Sequence, residues 1–191
     1  MNNNFIWGDY ISEEAVDLVV KFYNTQKFLP YYEGEVENFG ENKVDKSIKE
    51  SLDLSVYGNV MEKYMESYVR ELQRVLELYL EKFKYACMSE FTIKEALCIQ
   101  KYPIGGGFKQ WHTERNSSVY PMVCRHLVFK TYLNDVPDGG TEWFHQDLYI
   151  PAKKGYTIIW PSDWTHLHRG RVSHTKEKMI ITGWYSYGKD Y

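Results

Sequence analysis

His112-Thr113-Glu114 and, well downstream, Thr165-His166-Leu167-His168-Arg169-Gly170 form a divided set of metal-ligand residue types. Two histidines and one carboxylate brought together from separate strands suit a divalent iron that keeps open positions for other ligands. Side chains alternate along an extended chain, so His112 and Glu114 face the same way and one strand supplies two ligands. A lone His-x-Glu is common by chance. A histidine from a second, turn-bounded segment gives it more weight, because three protein ligands leave about half of an octahedral shell free. His166 and His168 share a parity, and both are candidates for the third position.

Lys178 lies ten residues beyond His168 and opens the run Lys-Met-Ile-Ile-Thr-Gly-Trp-Tyr. On a strand, Lys178, Ile180, Thr182 and Trp184 share one face, with Met179, Ile181 and Tyr185 on the other. A cation among apolar neighbours is costly unless an anion pairs with it, and an acidic cosubstrate whose other end chelates the metal supplies one. The plainer reading is an edge-strand lysine kept in solvent. Tyr102, before the Gly105-Gly106-Gly107 turn, can aim its hydroxyl at the same carboxylate. Arg125 opens the strand Arg-His-Leu-Val-Phe-Lys-Thr-Tyr-Leu, where it can orient a substrate carbonyl or carboxylate or form an ordinary surface ion pair. His126, His145 and His174 fit no ligand spacing.

These residues need strands to carry them. After Ser89 the chain becomes short runs of Tyr, Phe, Trp, Ile and Val separated by Pro and Gly signals at 103–107, 137–140, 151–155 and 161–163, an antiparallel β pattern. Before it, Ser12 is a candidate N-cap for a helix whose Val16, Val19, Val20 and Tyr23 fall on one face. The spacing predicts a second, longer helix from about Asn59 to Phe83, with Met61, Met65, Tyr68, Val69, Leu72, Leu76, Leu80 and Phe83 as a continuous stripe. Residues 31 to 58, with Gly34, Gly40, Gly58 and many acidic side chains, read as loop with short strands and as a candidate mobile lid. The natural architecture is mainly β with N-terminal helices: a two-sheet jelly roll, or double-stranded β-helix of cupin-like type, with the helices on the outer face of one sheet.

With 191 residues, 43% hydrophobic and 17% aromatic, the chain can bury one core, and we read residues 1–191 as one domain, helical support over about 1–88 and a catalytic β core over about 89–191. No apolar run approaches the roughly 20 residues of a membrane span, and Met1-Asn2-Asn3-Asn4 lacks the basic start of an export signal, which places the protein in the cytoplasm. Cys87, Cys98 and Cys124 show neither disulfide-framework nor zinc-ribbon spacing. Formal net charge is −3, with the acidic excess before Leu97 and a mild basic excess after it, where all six histidines lie. That field favours an anionic cosubstrate. It is too diffuse for a nucleic-acid footprint.

Taken together, the segments resemble the iron(II)- and 2-oxoglutarate-dependent oxygenases, in particular the prolyl 4-hydroxylase-like branch and its small bacterial and phage members. The resemblance runs from about Ile99 to Tyr187. It includes Tyr102-Pro-Ile-Gly-Gly-Gly-Phe108 leading to His112-Thr-Glu114, Arg125 to Val136, Gly139-Gly140-Thr-Glu-Trp-Phe144, Pro151-Ala-Lys-Lys-Gly155, and His168 to Lys178 and Trp184. It implies that His112, Glu114 and His168 hold Fe(II), and it selects His168 over His166. It further implies that Lys178 and Tyr102 hold the distal carboxylate of 2-oxoglutarate and that Arg125 and Trp184 meet the substrate. A hydroxylation of an unactivated C–H bond follows, on a prolyl residue of a peptide or protein, with release of succinate and CO2 and with ascorbate as a candidate reductant.

The chain departs from that pattern in three places. Glu114 stands where aspartate is usual, adding a methylene while keeping an ionised ligand, and it argues against a halogenase, where Gly or Ala would stand. The Tyr102 to His112 turn is one residue longer, and Phe108 replaces a common tyrosine. Three rival readings remain: a non-catalytic jelly-roll binding module, a cupin-like enzyme using another metal without a 2-oxo acid, and the same chemistry on a free amino acid, small metabolite or nucleobase.

Overall fold

The computed structural model describes residues 4–38 and 41–188; Met1–Asn3 and Gly40 of the sequence reading lie outside them. After a first strand, β1 (Trp7–Tyr10), Ser12 takes an extended conformation and its hydroxyl accepts the Ala15 N–H, capping α1 (Glu13–Thr25). Glu13 and Glu14 sit in its first turn, where the helix dipole favours anions. Ala15, Val16, Val19, Phe22 and Tyr23 form the buried stripe.

Residues 31–58 carry more strand than their composition suggests. They form β2 (Tyr32–Glu33), β3 (Glu35–Asn38), β4 (Glu41–Val44), β5 (Lys49–Glu50) and β6 (Leu52–Val56). β3 and β4 pair as a hairpin, whereas β6 is a member of the large sheet, paired with β2 on one side. The short strands expected within this loop are present, and β1, β2 and β6 bring strands from the first half of the chain into the β core.

The expected single helix from Asn59 to Phe83 is two, α2 (Gly58–Tyr64) and α3 (Glu66–Lys82). Between them Met65 leaves helical geometry at φ −110°, ψ 6°, and its side chain is fully buried. The stripe survives the break: Tyr68, Leu72, Val75, Leu76 and Tyr79 face inward.

The second half supplies β7 (Phe91–Ile93), β8 (Leu97–Tyr102), β9 (Gly107–Phe108), β10 (Arg125–Tyr132), β11 (Val136–Trp143), β12 (Leu148–Ala152), β13 (Tyr156–Pro161), β14 (His168–Arg171) and β15 (Lys178–Tyr187). The large antiparallel sheet runs β1-β13-β10-β15-β8-β6-β2, with β7 also on β15; β12-β11-β14 forms the smaller sheet, and β5 pairs β9. This is the jelly roll expected, with the helices against one face of the large sheet.

Strand alternation divides two cores. Leu127, Phe129, Ile159, Ile181 and Tyr185 pack outward with the α1 and α3 stripes. Val128, Tyr132, Ile158, Trp160 and Ile180 point inward against Val136, Trp143 and Ala152 of the smaller sheet. The outer core makes the large sheet a rigid wall, and the inner face of that wall carries the site.

Leu72→Ala would empty a fully buried position in the outer core and should cost about 2–5 kcal/mol in urea denaturation, with metal uptake unchanged. A loss well under 1 kcal/mol would mean that α3 is not packed on the sheet as described.

Candidate metal centre

His112 belongs to no strand. It forms an isolated antiparallel bridge with His168, the first residue of β14, with N–H to C=O distances of 2.9 Å in both directions. The extended strand expected over 112–114 is therefore this single bridge. Residues paired across a bridge place their side chains together, and the two imidazole centroids are 4.4 Å apart. Glu114 is fixed by its own N–H on Ser162 O at 3.1 Å. Nitrogens of both histidines and a carboxylate oxygen of Glu114 all fall within 4.8 Å of one another.

Both rings are oriented by the nitrogen that does not face the centre. His112 Nδ1 donates to Gln110 O and His168 Nδ1 to His166 O, each at 2.9 Å. A carbonyl can only accept, so the proton lies on Nδ1 and the Nε2 lone pairs point inward. His168 Nε2 stands 3.3 Å from Glu114 Oε1 and has no hydrogen to offer it; it is buried without a hydrogen-bond partner. Burial and the neighbouring His112 push His168 down to about 4, so it is a neutral imidazole at pH 7. Glu114 accepts the Trp184 indole N–H and lies 3.7 Å from the Arg125 guanidinium, and both favour its ionised form against the cost of burial. Two imidazoles that turn Nε2 inward and one carboxylate form a donor set for a divalent cation, and a bound ion would satisfy the orphaned His168 Nε2.

The other oxygen of Glu114 is tied away. Trp184 Nε1 donates to Oε2 at 3.0 Å. The Arg125 guanidinium stacks over the Trp184 ring at 3.6 Å, is clamped by Glu95, and donates to Glu114 O at 2.9 Å. Arg125 and Trp184, expected at the substrate, hold the Glu114 carboxylate in place. Phe108 stacks on His112 at 3.7 Å and 11°. His166 is buried in a 3-10 turn, its ring on Asn4 O at 2.9 Å; its backbone carbonyl, not its ring, serves the centre.

A cavity of about 810 Å³ opens from the centre, and Lys178, Ile180, Thr182 and Trp184 all line it, as the strand parity requires. Lys178 is 3% exposed, opposite Tyr102 in the sheet register, and its ammonium donates to Arg171 O at 2.7 Å. Among the described residues no carboxylate pairs with it. Burial, and next Lys130, push it down to about 7. Tyr102 lines the same cavity with its ring 5.2 Å from the Lys178 ammonium, but its hydroxyl proton goes to Gln100 Oε1 at 2.5 Å.

Among the cavity residues that escaped the sequence reading are Lys130, Tyr132 and Thr141. A lysine inside the apolar run Leu127–Leu133, in phase with Val128 and Tyr132, was the available signal.

By sequence the chain matches no protein-family model and no curated protein. Its fold is shared with solved structures. The viral collagen prolyl hydroxylase of Paramecium Bursaria Chlorella virus-1, in its 2OG complex, aligns with a TM-score of 0.68 at 15% identity over 98% of each chain. A Pseudomonas putida prolyl-4-hydroxylase gives 0.64 at 13% identity, covering 96% of this chain and 92% of that one. A Trichoplax adhaerens prolyl hydroxylase, in complex with a hypoxia inducible factor oxygen degradation domain peptide fragment, gives 0.73 at 15% identity, covering 97% and 84%.

The geometry predicts one bound divalent ion per chain. Titration with Co(II), followed by visible absorption and calorimetry, should give unit stoichiometry in the wild type and no uptake in His168→Ala or Glu114→Ala. His166→Ala keeps the carbonyl that orients His168 and should bind within about tenfold of wild type. Undiminished uptake by His168→Ala would break the assignment.

Proposed function

We propose that the chain is an Fe(II)- and 2-oxoglutarate-dependent dioxygenase that hydroxylates an unactivated C–H bond, its target a prolyl residue in a peptide or protein, releasing succinate and CO2. One observation carries the reading: an open two-histidine, one-carboxylate centre shares its cavity with a buried lysine that has no anionic partner among the described residues. A 2-oxo diacid joins the two, chelating at one end and neutralising Lys178 at the other. The fold shared with a viral enzyme solved with 2OG, and with one solved with a peptide, supports both halves of the reading.

His112, Glu114 and His168 would hold the iron, which when bound activates oxygen and couples oxidation of the 2-oxo acid to hydroxylation. The residues around it do the positioning. Lys178, with the Tyr102 ring beside it, holds the distal carboxylate and so sets which way the acid lies. Trp143, Trp160, Val128 and Ile180 make the wall behind the centre apolar and keep bulk water from it. Arg125 and Trp184 fix Glu114 from the substrate side, and their exposed edges are the surfaces a peptide would meet. The β3–β4 hairpin contributes Glu35 and Val36 to the cavity wall, so this segment also bears on which substrate fits.

Anaerobic addition of Fe(II) and 2-oxoglutarate should produce a weak visible charge-transfer band, and admission of oxygen should yield succinate and a gain of one oxygen in a proline-rich peptide by mass spectrometry. No band and no succinate would refute the reading. Succinate without any modified peptide would refute only the prolyl target.

Lys178→Ala should weaken 2-oxoglutarate binding by about 10- to 100-fold, the worth of a charge-assisted hydrogen bond. Binding should also depend on pH with a definite sign. The free lysine sits at about 7, and a carboxylate partner raises it. Above that value binding must first recapture a proton, so affinity falls as pH rises beyond about 7. Calorimetry in buffers of different ionisation heat should register proton uptake at pH 8, and an affinity that rises with pH would contradict the assigned partner.

A further inference from the structure

Lys130 is a second, partly buried cavity lysine, and nothing in the chemistry above uses it. It lies in β10 with Val128 and Tyr132 on the inner face, opposite Thr182 of β15 in the sheet register. Among the described residues it has no carboxylate partner. Its ammonium makes one long contact, 3.4 Å to Thr141 Oγ1, and stands 5.3 Å from the Trp160 ring centroid. Apart from Lys178, the other cations of the cavity are paired: Lys49 with Asp53 at 2.7 Å and Arg125 with Glu95.

Lys130 and Lys178 approach the same rung of the smaller sheet. Thr141 and Gly170 are paired across β11 and β14. Lys130 reaches Thr141, whose hydroxyl also meets Tyr132 OH at 2.6 Å. Lys178 reaches the other side: a Cβ on Gly170 would lie 3.5 Å from its ammonium, so glycine there leaves that nitrogen open to the cavity. Two ammonium groups and two hydroxyls therefore converge on one place, and each ammonium keeps protons to donate. Two like charges gathered at one rung, neither ion-paired to a carboxylate among the described residues, destabilise the empty site. Burial pushes Lys130 down to about 8, and Lys130 in turn contributes to the depression of Lys178.

We propose that Lys130 is a second anchor for the acidic cosubstrate, sharing the distal carboxylate with Lys178 beside Tyr132 and Thr141. The inference rests on the reading of a 2-oxo diacid as cosubstrate. It makes Lys130 a binding residue that raises selectivity for diacids over monoacids, because a chain lacking the distal carboxylate leaves both cations unpaired.

The test compares 2-oxoglutarate with 2-oxopentanoate, which keeps the chelating end and lacks the distal carboxylate. Both are titrated calorimetrically into Mn(II)-loaded wild type, Lys130→Met, Lys130→Arg and Lys178→Met. Lys130→Met should bind 2-oxoglutarate about tenfold more weakly and 2-oxopentanoate as the wild type does, with Lys130→Arg recovering most of the loss. Without ligand, Lys130→Met should melt higher than the wild type, since an uncompensated buried charge is gone; a lysine with a merely structural role would lower the melting temperature when removed. Unchanged 2-oxoglutarate affinity in Lys130→Met, or equal weakening of both acids, overturns the role of Lys130 while leaving that of Lys178 standing. A wild type that does not favour the diacid overturns the cosubstrate reading, and this inference with it.

Discussion

Two backbone hydrogen bonds, His112 N to His168 O and His168 N to His112 O, join the two halves of the ligand set. They form the one rung between β14 and a segment that is otherwise without strand pairing, and the rest of the centre takes its place from that rung. β14 is itself located by β11, where Trp143 pairs with His168, and Trp143 packs edge-on against Trp160 of the large sheet at 5.3 Å. The position of the metal ligands thus follows from the spacing of the two sheets, which the tryptophans set. Glu114, two residues past the bridge, needs its own tether because no strand continues to hold it.

The same enclosure makes charge expensive, which is why the few charged groups inside fall into two kinds. Lys49 and Asp53 are a closed pair, with Gln100 donating to Asp53 at 3.2 Å and in turn accepting from Tyr102. Beside them the Cys98 thiol is pushed up to about 11 by burial and by Asp53, so it is an inert thiol and not a nucleophile. Lys130 and Lys178 are of the other kind, cations of the enclosure with no carboxylate partner among the described residues. A fold keeps such groups against their cost when the helical layer outside supplies stability to spare, and the continuous α1 and α3 stripes do so.

The architecture was legible where periodicity is long. Ser12 and the valines after it specify α1, and the strand parity of Lys178, Ile180, Thr182 and Trp184 matches the cavity lining. Legibility failed where elements are short. β2 and β5 have two residues each and cannot show an alternation, so the segment around them reads as loop. The break at Met65 leaves the apolar stripe intact, so the pattern does not reveal it. The clustering of His112, Glu114 and His168 was readable from residue type and order, but the bridge at His112 was not, because a single rung needs no strand-forming neighbours. Lys130 was passed over as one more lysine in a strand; its place on the inner face emerges only when Val128 and Tyr132 are seen against the smaller sheet.

Glutamate at position 114 becomes intelligible through Trp184. A glutamate has one more rotatable bond than an aspartate, so in an unbraced site its carboxylate would wander and lose the advantage of a preformed centre. Here Oε2 is taken by the indole N–H of Trp184, which leaves Oε1 alone facing the two histidines. The indole is in turn pinned by the Arg125 guanidinium, and that by Glu95. The brace has a consequence for the candidate centre. Arg125 and Trp184 are fixed to one another and to the Glu114 carboxylate, so a substitution at either acts on the geometry of the ligand cluster, which binding of an ion reads directly.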